Sequence, residues 1–469
     1  MKIFINIGKY LLLCVLLAVN VSCDIDKVEP YYQLTPENTI RDEKSAQAVL
    51  NGVYNLGRQF DLGFFPLHIA AYGNEGKIIS NISGSTGFNT NEIKKDNEFL
   101  SKLYNSNYKV INLANFLIEE LEAGKAVGIS NQRKQEMISE AKYQRAMHYF
   151  NLLRYFGEYY DLTSIYGVVL RTSFATEIEA DSRATVKETY DLIISDLVFA
   201  SEFGPEHIKH IYSGKIASKA LLAKVKLYVG DYSESAKLAK EVIDNTEGYA
   251  LESNYDDIFK NMFHSSEVLF APMAGTGVEG GSKMEQINRT SYSEFLFGLA
   301  DQQVEGIASL EQTGEYIDPR FAFAYSKNTQ GVNKQAKYPH SATASSMKNT
   351  MYHMRLAEVY LIYAEALVRG EIDLPLALEQ VNIIRHRAKV GEKKLVDRNT
   401  LLKDIRYEKL LEIFFENGEP LFDLIRYAIL DGIDVTVEKP TLNSKHKYIL
   451  PIPLTVLSSN HKLIQNPGY

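Results

Sequence analysis

The 469-residue chain has no tryptophan, only two cysteines and no excess of basic charge. Each absence removes a class of function. Two cysteines are too few for a disulfide framework, a cysteine-rich zinc site or an iron–sulfur cluster. With 51 Lys and Arg against 59 Asp and Glu the net charge is -8, and that sign repels the phosphate backbone a nucleic-acid binder must neutralise. No nucleic-acid partner is expected. Beyond the N-terminal segment no apolar run approaches the roughly 20 residues that span a bilayer. Catalytic signatures are missing too. Neither GxSxG nor HExxH occurs. The glycine-rich stretch Gly275–Lys283 carries Glu279 and lacks Gly-Lys-Ser/Thr in order, so it reads as a loop rather than a phosphate cradle. His207 and His210, with Glu206 beside them, have metal-like spacing. Following Gly204-Pro205 they read instead as solvated loop residues. Glu358 and Glu365 lie seven residues apart on one helix face, the pattern of a salt-bridge face rather than of a glycosidase pair. No catalytic residue, cofactor or metal-ligand set is expected, and the chain is read as a binding protein, not an enzyme.

What is present begins at the N-terminus. Lys2 and Lys9 precede a nearly unbroken apolar run from Tyr10 to Val19. That is a secretory signal over residues 1–22 rather than a spanning helix. It ends Val19-Asn20-Val21-Ser22-Cys23, which resembles a bacterial lipobox, with cleavage before Cys23 and lipid attached there. Cys14 leaves with the signal, so no free thiol remains. The acidic stretch containing Asp24, Asp26 and Glu29 resembles the surface-export signal of Bacteroidetes lipoproteins. Residues 23–36 read as a lipidated tether, and 37–469 as one domain, anchored by lipid at the cell surface.

Within that domain the apolar residues recur at helical spacing. Helices are predicted from about Thr39 to Leu56, from Leu100 to beyond Leu121, and through Ile138 to a stop at Gly157. Another covers 185–200, with Thr185 and Glu188 as a capping box. Residues 214–245 read as a hairpin of two helices with small residues at the seam and a turn at Gly230-Asp231-Tyr232, similar to a tetratricopeptide (TPR) unit. A second hairpin is predicted over 354–388 and a last helix over about 401–416. Tyr448–Pro453 reads as extended. Blocks 60–100 and 270–350 lose the period and read as long irregular insertions. The fold class is therefore mainly α: a TPR-like helical scaffold with loop blocks that hold the ligand side. Aromatic residues gather in those blocks, and Phe65, Tyr72, Phe88, Tyr292, Phe295 and Tyr316 are the candidate ligand contacts.

Several stretches together resemble one family. They are Glu140-Ala141-Lys142-Tyr143-Gln144-Arg145 running on to Arg154-Tyr155-Phe156-Gly157, Arg355-Leu356-Ala357-Glu358-Val359-Tyr360 with Ala364-Glu365-Ala366, and Asn382 with Arg385-His386-Arg387-Ala388. Phe422-Asp423-Leu424-Ile425-Arg426, Asp318-Pro319-Arg320-Phe321, Pro451-Ile452-Pro453 and Gln465-Asn466-Pro467-Gly468-Tyr469 complete the set, with Ala48–Tyr54 near the start. In that order they are similar to the SusD/RagB family of surface lipoproteins. The resemblance implies a non-enzymatic nutrient-capture protein that lids a SusC-like TonB-dependent transporter in the outer membrane. It implies a glycan ligand first, with peptide as the alternative, since the tryptophans that often stack sugars in the family are absent here. The family motifs themselves are structural: Glu140, Arg145 and Arg355 are expected in buried pairs, and Pro420-Leu421, standing where many members have Arg-Trp, in packing. A TPR-type assembly scaffold without a small ligand and an all-helical surface glycosidase are the rival readings.

Overall fold

The computed structural model describes residues 36–469 apart from 60–61, 63–64, 81, 178–179, 207–209, 273–286, 303–317, 328 and 341–348. The expected signal, the lipid site at Cys23 and nearly all of the tether lie outside the described residues.

The architecture is mainly helical. After a short helix, Pro36–Thr39, the chain forms α1 (Glu43–Gly57), which starts where Asp42 accepts from the Ser45 amide and Ser45 answers with its own side chain. This capping box satisfies two of the orphan donors of the first turn. α2 (Phe65–Tyr72) leads to strand β1 (Gly76–Ile78). Then come α3 (Glu98–Glu122), α4 (Asn131–Phe156) and α5 (Val186–Phe203). Buried residues run almost without break along the second half of α4, because it is sandwiched between α3 and α5; a helix covered on all sides loses its polar face. Gly157 caps it, and Thr185 with Glu188 forms the capping box of α5.

Two hairpins follow. α6 (Lys215–Tyr228) and α7 (Tyr232–Ile243) turn through Gly230 at φ +80°, a left-handed conformation that glycine adopts without strain. Ala220, Ala223, Ala236 and Ala239 are buried at the seam. α8 (Leu356–Arg369) and α9 (Leu374–Arg387) form the second pair, and α7 packs on α8. α10 (Arg398–Ile413) and α11 (Glu419–Asp431) close the scaffold. Three two-stranded antiparallel sheets pin the irregular segments to it. β1 pairs with β3 (Thr290–Tyr292) in the register Gly76 opposite Tyr292. β2 (Val268–Phe270) pairs with β6 (Met354–Arg355), and β4 (Tyr325–Lys327) with β5 (Asn333–Gln335).

Three expectations are corrected. Block 270–350, read as irregular, contains the helices Glu294–Gln302 and Pro319–Ala324 and the strands β3, β4 and β5, elements too short to show a period in sequence. Block 60–100 contains α2, a helix whose sequence FPLHIAAY has its described side chains buried on every side; without a polar face it has no helical period to detect. The helix expected last is followed by α11. This helix starts after left-handed Gly418, carries Pro420 in its first turn and is buried from Glu419 to Tyr427; the glycine and proline at its start read as a break in sequence.

The sequence motifs converge in two buried ion networks. In the first, Arg154 meets Glu419 at 2.5 Å, Lys224 bridges Glu419 and Glu358, and Lys409 joins Glu358 to Asp423. Arg426 then links Asp423 to Glu365, which also holds Arg369 at 2.5 Å. In the second, Arg355 binds Glu267, Glu412 and Glu416; Arg387 shares Glu267 and Glu412, and Arg320 joins Asp318, Glu408 and Glu412. Arg385 takes Glu408 and Lys337 takes Glu416. Burial alone would push the Glu412 carboxyl up, but Arg387, Arg355 and Arg320 together hold it down at about 2. Glu358 and Glu365 thus serve in ion pairs. Arg145 pairs with Asp196, and Leu421 is buried against Gly73, as the packing reading of that position requires.

Candidate functional site

The four aromatic candidates whose side chains are described do not form one exposed group. Tyr72 is buried and donates its hydroxyl to the Lys447 carbonyl at 2.7 Å. Phe88 is enclosed by His68, Tyr72 and Phe99. Tyr292 sits among Phe321, Phe414 and Phe415 and donates to the Ala324 carbonyl. Phe295 is half-buried against Tyr407. The structure therefore moves Tyr72, Phe88 and Tyr292 to the core, because strand pairing and helix packing cover segments that lack a helical period in sequence. The side chain of Phe65 and all of Tyr316 lie outside the described residues. His210 turns Nδ1 to the Val268 carbonyl, His207 lies outside the described residues, and no cluster of three metal-ligating groups occurs among those described.

The described surface instead holds a cleft where α1, α4 and the stretches 202–206 and 212–215 meet. It has two chambers, of about 820 Å3 and 230 Å3, and Asn51 and Tyr212 line both. On α1 half-buried Gln47 and exposed Asn51 and Asn55 lie at i, i+4 and i+8 and so share one helix face. Arg58, just after α1, and Pro272, just after β2, line the smaller chamber.

The larger chamber is a hydrogen-bonding surface. Arg133 donates to Gln47 at 2.7 Å and to Glu136 at 2.9 Å, and reaches Glu140 at 3.4 Å. Gln47 donates to Asn51 at 3.0 Å. Lys215 pairs with Glu206 at 2.6 Å. Burial pushes the Glu140 carboxyl up to about 7, against the pull of the Tyr54 hydroxyl and of Arg133. Apolar surface comes from Phe203 and Tyr212. In the smaller chamber Tyr212 meets Tyr54 edge-on, ring centres 5.0 Å apart, and His353 stacks on Phe270 at 5.5 Å. Amides, carboxylates, two guanidinium groups and the half-buried Tyr212 ring make a surface that orients a polar ligand through many weak, directional contacts. The expectation of Glu140 as a buried pair holds, and its place on the cleft wall is new. Tyr54 lies within the Ala48–Tyr54 motif; Tyr212 carries no signal of its own.

Comparison with known proteins agrees with this architecture. The family described as "SusD family" matches residues 303–469, and that described as "Starch-binding associating with outer membrane" matches residues 28–228. A SusD-like protein P2 of Formosa agariphila is 26% identical, the match covering 97% of this chain and 98% of that one. Among solved structures, a SusD superfamily protein from Bacteroides thetaiotaomicron superposes with a TM-score of 0.77 at 23% identity, covering 91% of this chain and 100% of that one. A laminarin-binding SusD-like protein superposes at 0.72 with 22% identity, covering 92% and 100%. At these identities the superpositions carry the fold.

Proposed function

Because the chain belongs to the SusD/RagB family, we propose that it is a non-enzymatic surface lipoprotein that binds glycan and lids a SusC-like TonB-dependent transporter in the outer membrane. Cys23 carries the lipid. The cleft between α1, α4 and the stretches 202–206 and 212–215 captures the ligand, with Tyr212 between its chambers, and the lid delivers it by opening and closing over the barrel.

The observation that carries the binding part is the cleft itself: amide and carboxylate groups around Tyr212. Hydroxyl groups of a sugar both donate and accept, so they match such a mixed set. The starch-binding description of the matched family and the laminarin-binding relative support glycan over peptide. The charges of both signs, Arg133 and Lys215 with Glu136 and Glu206, favour peptide as the second reading.

The test is a binding screen of the soluble form, residues 24–469, against glycans and peptides, with uptake measured in a strain lacking the gene. Glycan binding together with lost uptake of that glycan is the expected outcome. Unchanged uptake and growth on every polymer and peptide source would overturn the lid role.

A further inference from the structure

Tyr212 sits on a segment held at His210, whose ring meets the Val268 carbonyl and whose own carbonyl accepts the Ala271 amide at 2.8 Å, and again at Ser213 by a buried hydrogen-bond junction. Tyr54 on α1 donates its hydroxyl to Glu140 on α4 at 2.8 Å. The same oxygen accepts the Ser213 amide at 3.0 Å and lies 2.9 Å from the Ser213 hydroxyl. Ser213 is the neighbour of Tyr212, whose ring rests edge-on against Tyr54. Glu140, Tyr54 and Ser213 are all buried, whereas Tyr212 is half-buried and lines both chambers. We propose that Glu140 is the positioning residue of the binding cleft: through the Tyr54 hydroxyl and Ser213 it fixes where Tyr212 stands between the two chambers. This rests on the cleft being the ligand site.

The geometry gives the junction a defined polarity. An ionised carboxylate can only accept. It therefore fixes the Tyr54 proton toward Glu140, and the phenol oxygen is left to accept from both Ser213 groups. A protonated Glu140 can donate to Tyr54 instead, and the phenol proton then turns to the Ser213 hydroxyl. The bond from Tyr54 to ionised Glu140 is charge-assisted and about twice as strong as its neutral counterpart, so the hold on Ser213 tightens when Glu140 loses its proton. The charged and titratable groups that act on Glu140 are Arg133 and Glu136 on its own helix and Tyr54 on α1; Glu202, Glu206 and Lys215 also line the cleft. Burial raises the Glu140 carboxyl to about 7 against the pull of Tyr54 and Arg133, with Glu136 adding to the rise.

Because the chain has no tryptophan, Tyr212→Trp installs a single emission probe at the point in question. The full chain, purified in detergent, carries this substitution alone, with Glu140→Gln, or with Tyr54→Phe, and circular dichroism confirms that each folds. The emission of Tyr212→Trp is expected to shift with a midpoint near pH 7. The shift is expected to vanish in both double variants. His353 also lines the smaller chamber, but burial, with Lys224 and Arg154 nearby, lowers it to about 4, below the pH range scanned. Emission that stays flat from pH 5 to 9, or a titration that survives Tyr54→Phe, overturns the proposal. In parallel, laminari- and malto-oligosaccharides are titrated against the unmodified chain and Tyr54→Phe, with a loss of affinity of three-fold or more expected in the variant. Unaltered affinity in Tyr54→Phe overturns the positioning role. Failure of every oligosaccharide to bind overturns the glycan reading instead, and the emission result then decides the junction alone.

Discussion

Replacing Arg355 by Met would break the larger ion network at its centre. Five cations, Arg320, Lys337, Arg355, Arg385 and Arg387, face five carboxylates, Asp318, Glu267, Glu408, Glu412 and Glu416. All ten are buried. Methionine approximates the stem of Arg355 and fills much of its volume, so the loss is mainly one of charge. Glu416 keeps Lys337 at 2.7 Å, Glu267 keeps Arg387 at 2.6 Å, and Glu412 keeps Arg387 and Arg320. No carboxylate is stranded, but the cluster is left one negative charge in excess. The expected cost is that of one broken buried pair, about 3–5 kcal/mol, and not three times that. Equilibrium unfolding in guanidinium at pH 7 measures it. Adding Glu416→Gln removes the excess charge and should recover at least about 1 kcal/mol, a coupling that a double-mutant cycle reads directly. The exposed pair Lys187–Asp191, with side chains 69% and 58% accessible, gives the contrast: Lys187→Ala should cost under about 0.5 kcal/mol. A cost below about 1 kcal/mol for Arg355→Met, or strict additivity with Glu416→Gln, would refute the claim that this network holds the fold.

Other outcomes follow from the same contacts. Burial pushes the Glu75 carboxyl up to about 8, although its oxygen accepts the Phe415 amide. Its folded value lies above its unfolded one near 4.5, so its contribution to stability is full below pH 4.5 and is lost as pH rises through about 8. Glu75→Gln should flatten that decline by on the order of 3 kcal/mol at pH 7, as denaturation at a series of pH values would show; an unchanged slope would sink this assignment. The Glu365 and Glu412 carboxyls are held at about 2 by their arginines against the upward push of burial. Their contribution is present above pH 4.5 and is lost as pH falls toward 2, which predicts cooperative acid unfolding. A Cβ at Gly76 would stand 2.3 Å from the Ser291 carbonyl and 2.5 Å from the Phe415 ring, so Gly76→Ala should cost about 1–3 kcal/mol by overpacking the β1–β3 pair. An unchanged unfolding midpoint would contradict that geometry.

The scaffold was legible because its signals are local or repeated. Capping at Thr185, the stop at Gly157 and the hairpin turn at Gly230 each follow from neighbours within a few residues. The charged motif residues were legible as structure, since arginines and glutamates at fixed helical positions make partners across packed helices. Among the elements that escaped, α2 is buried along its described side chains, where no polar face marks a period, and α11 begins at Gly418 and Pro420, which read as a break. The site was not legible. Asn51, Arg133 and Tyr212 come together only because α1, α4 and the segment after α5 meet in space. Aromatics in irregular segments drew attention instead, yet Tyr72, Phe88 and Tyr292 spend their rings on the core. Exposure decides whether a ring binds ligand, and exposure is set by tertiary packing.

The central claim is that this cleft takes glycan at Tyr212. Calorimetric titration of residues 24–469 with laminari- and malto-oligosaccharides, beside Tyr212→Ala, tests it most directly. The expected result is saturable binding of at least one oligosaccharide class, weakened ten-fold or more in Tyr212→Ala while the unfolding midpoint stays within about 2 °C of the unmodified protein, as for a surface substitution. Equal affinity in the variant, or binding of peptides with no glycan bound, would contradict it.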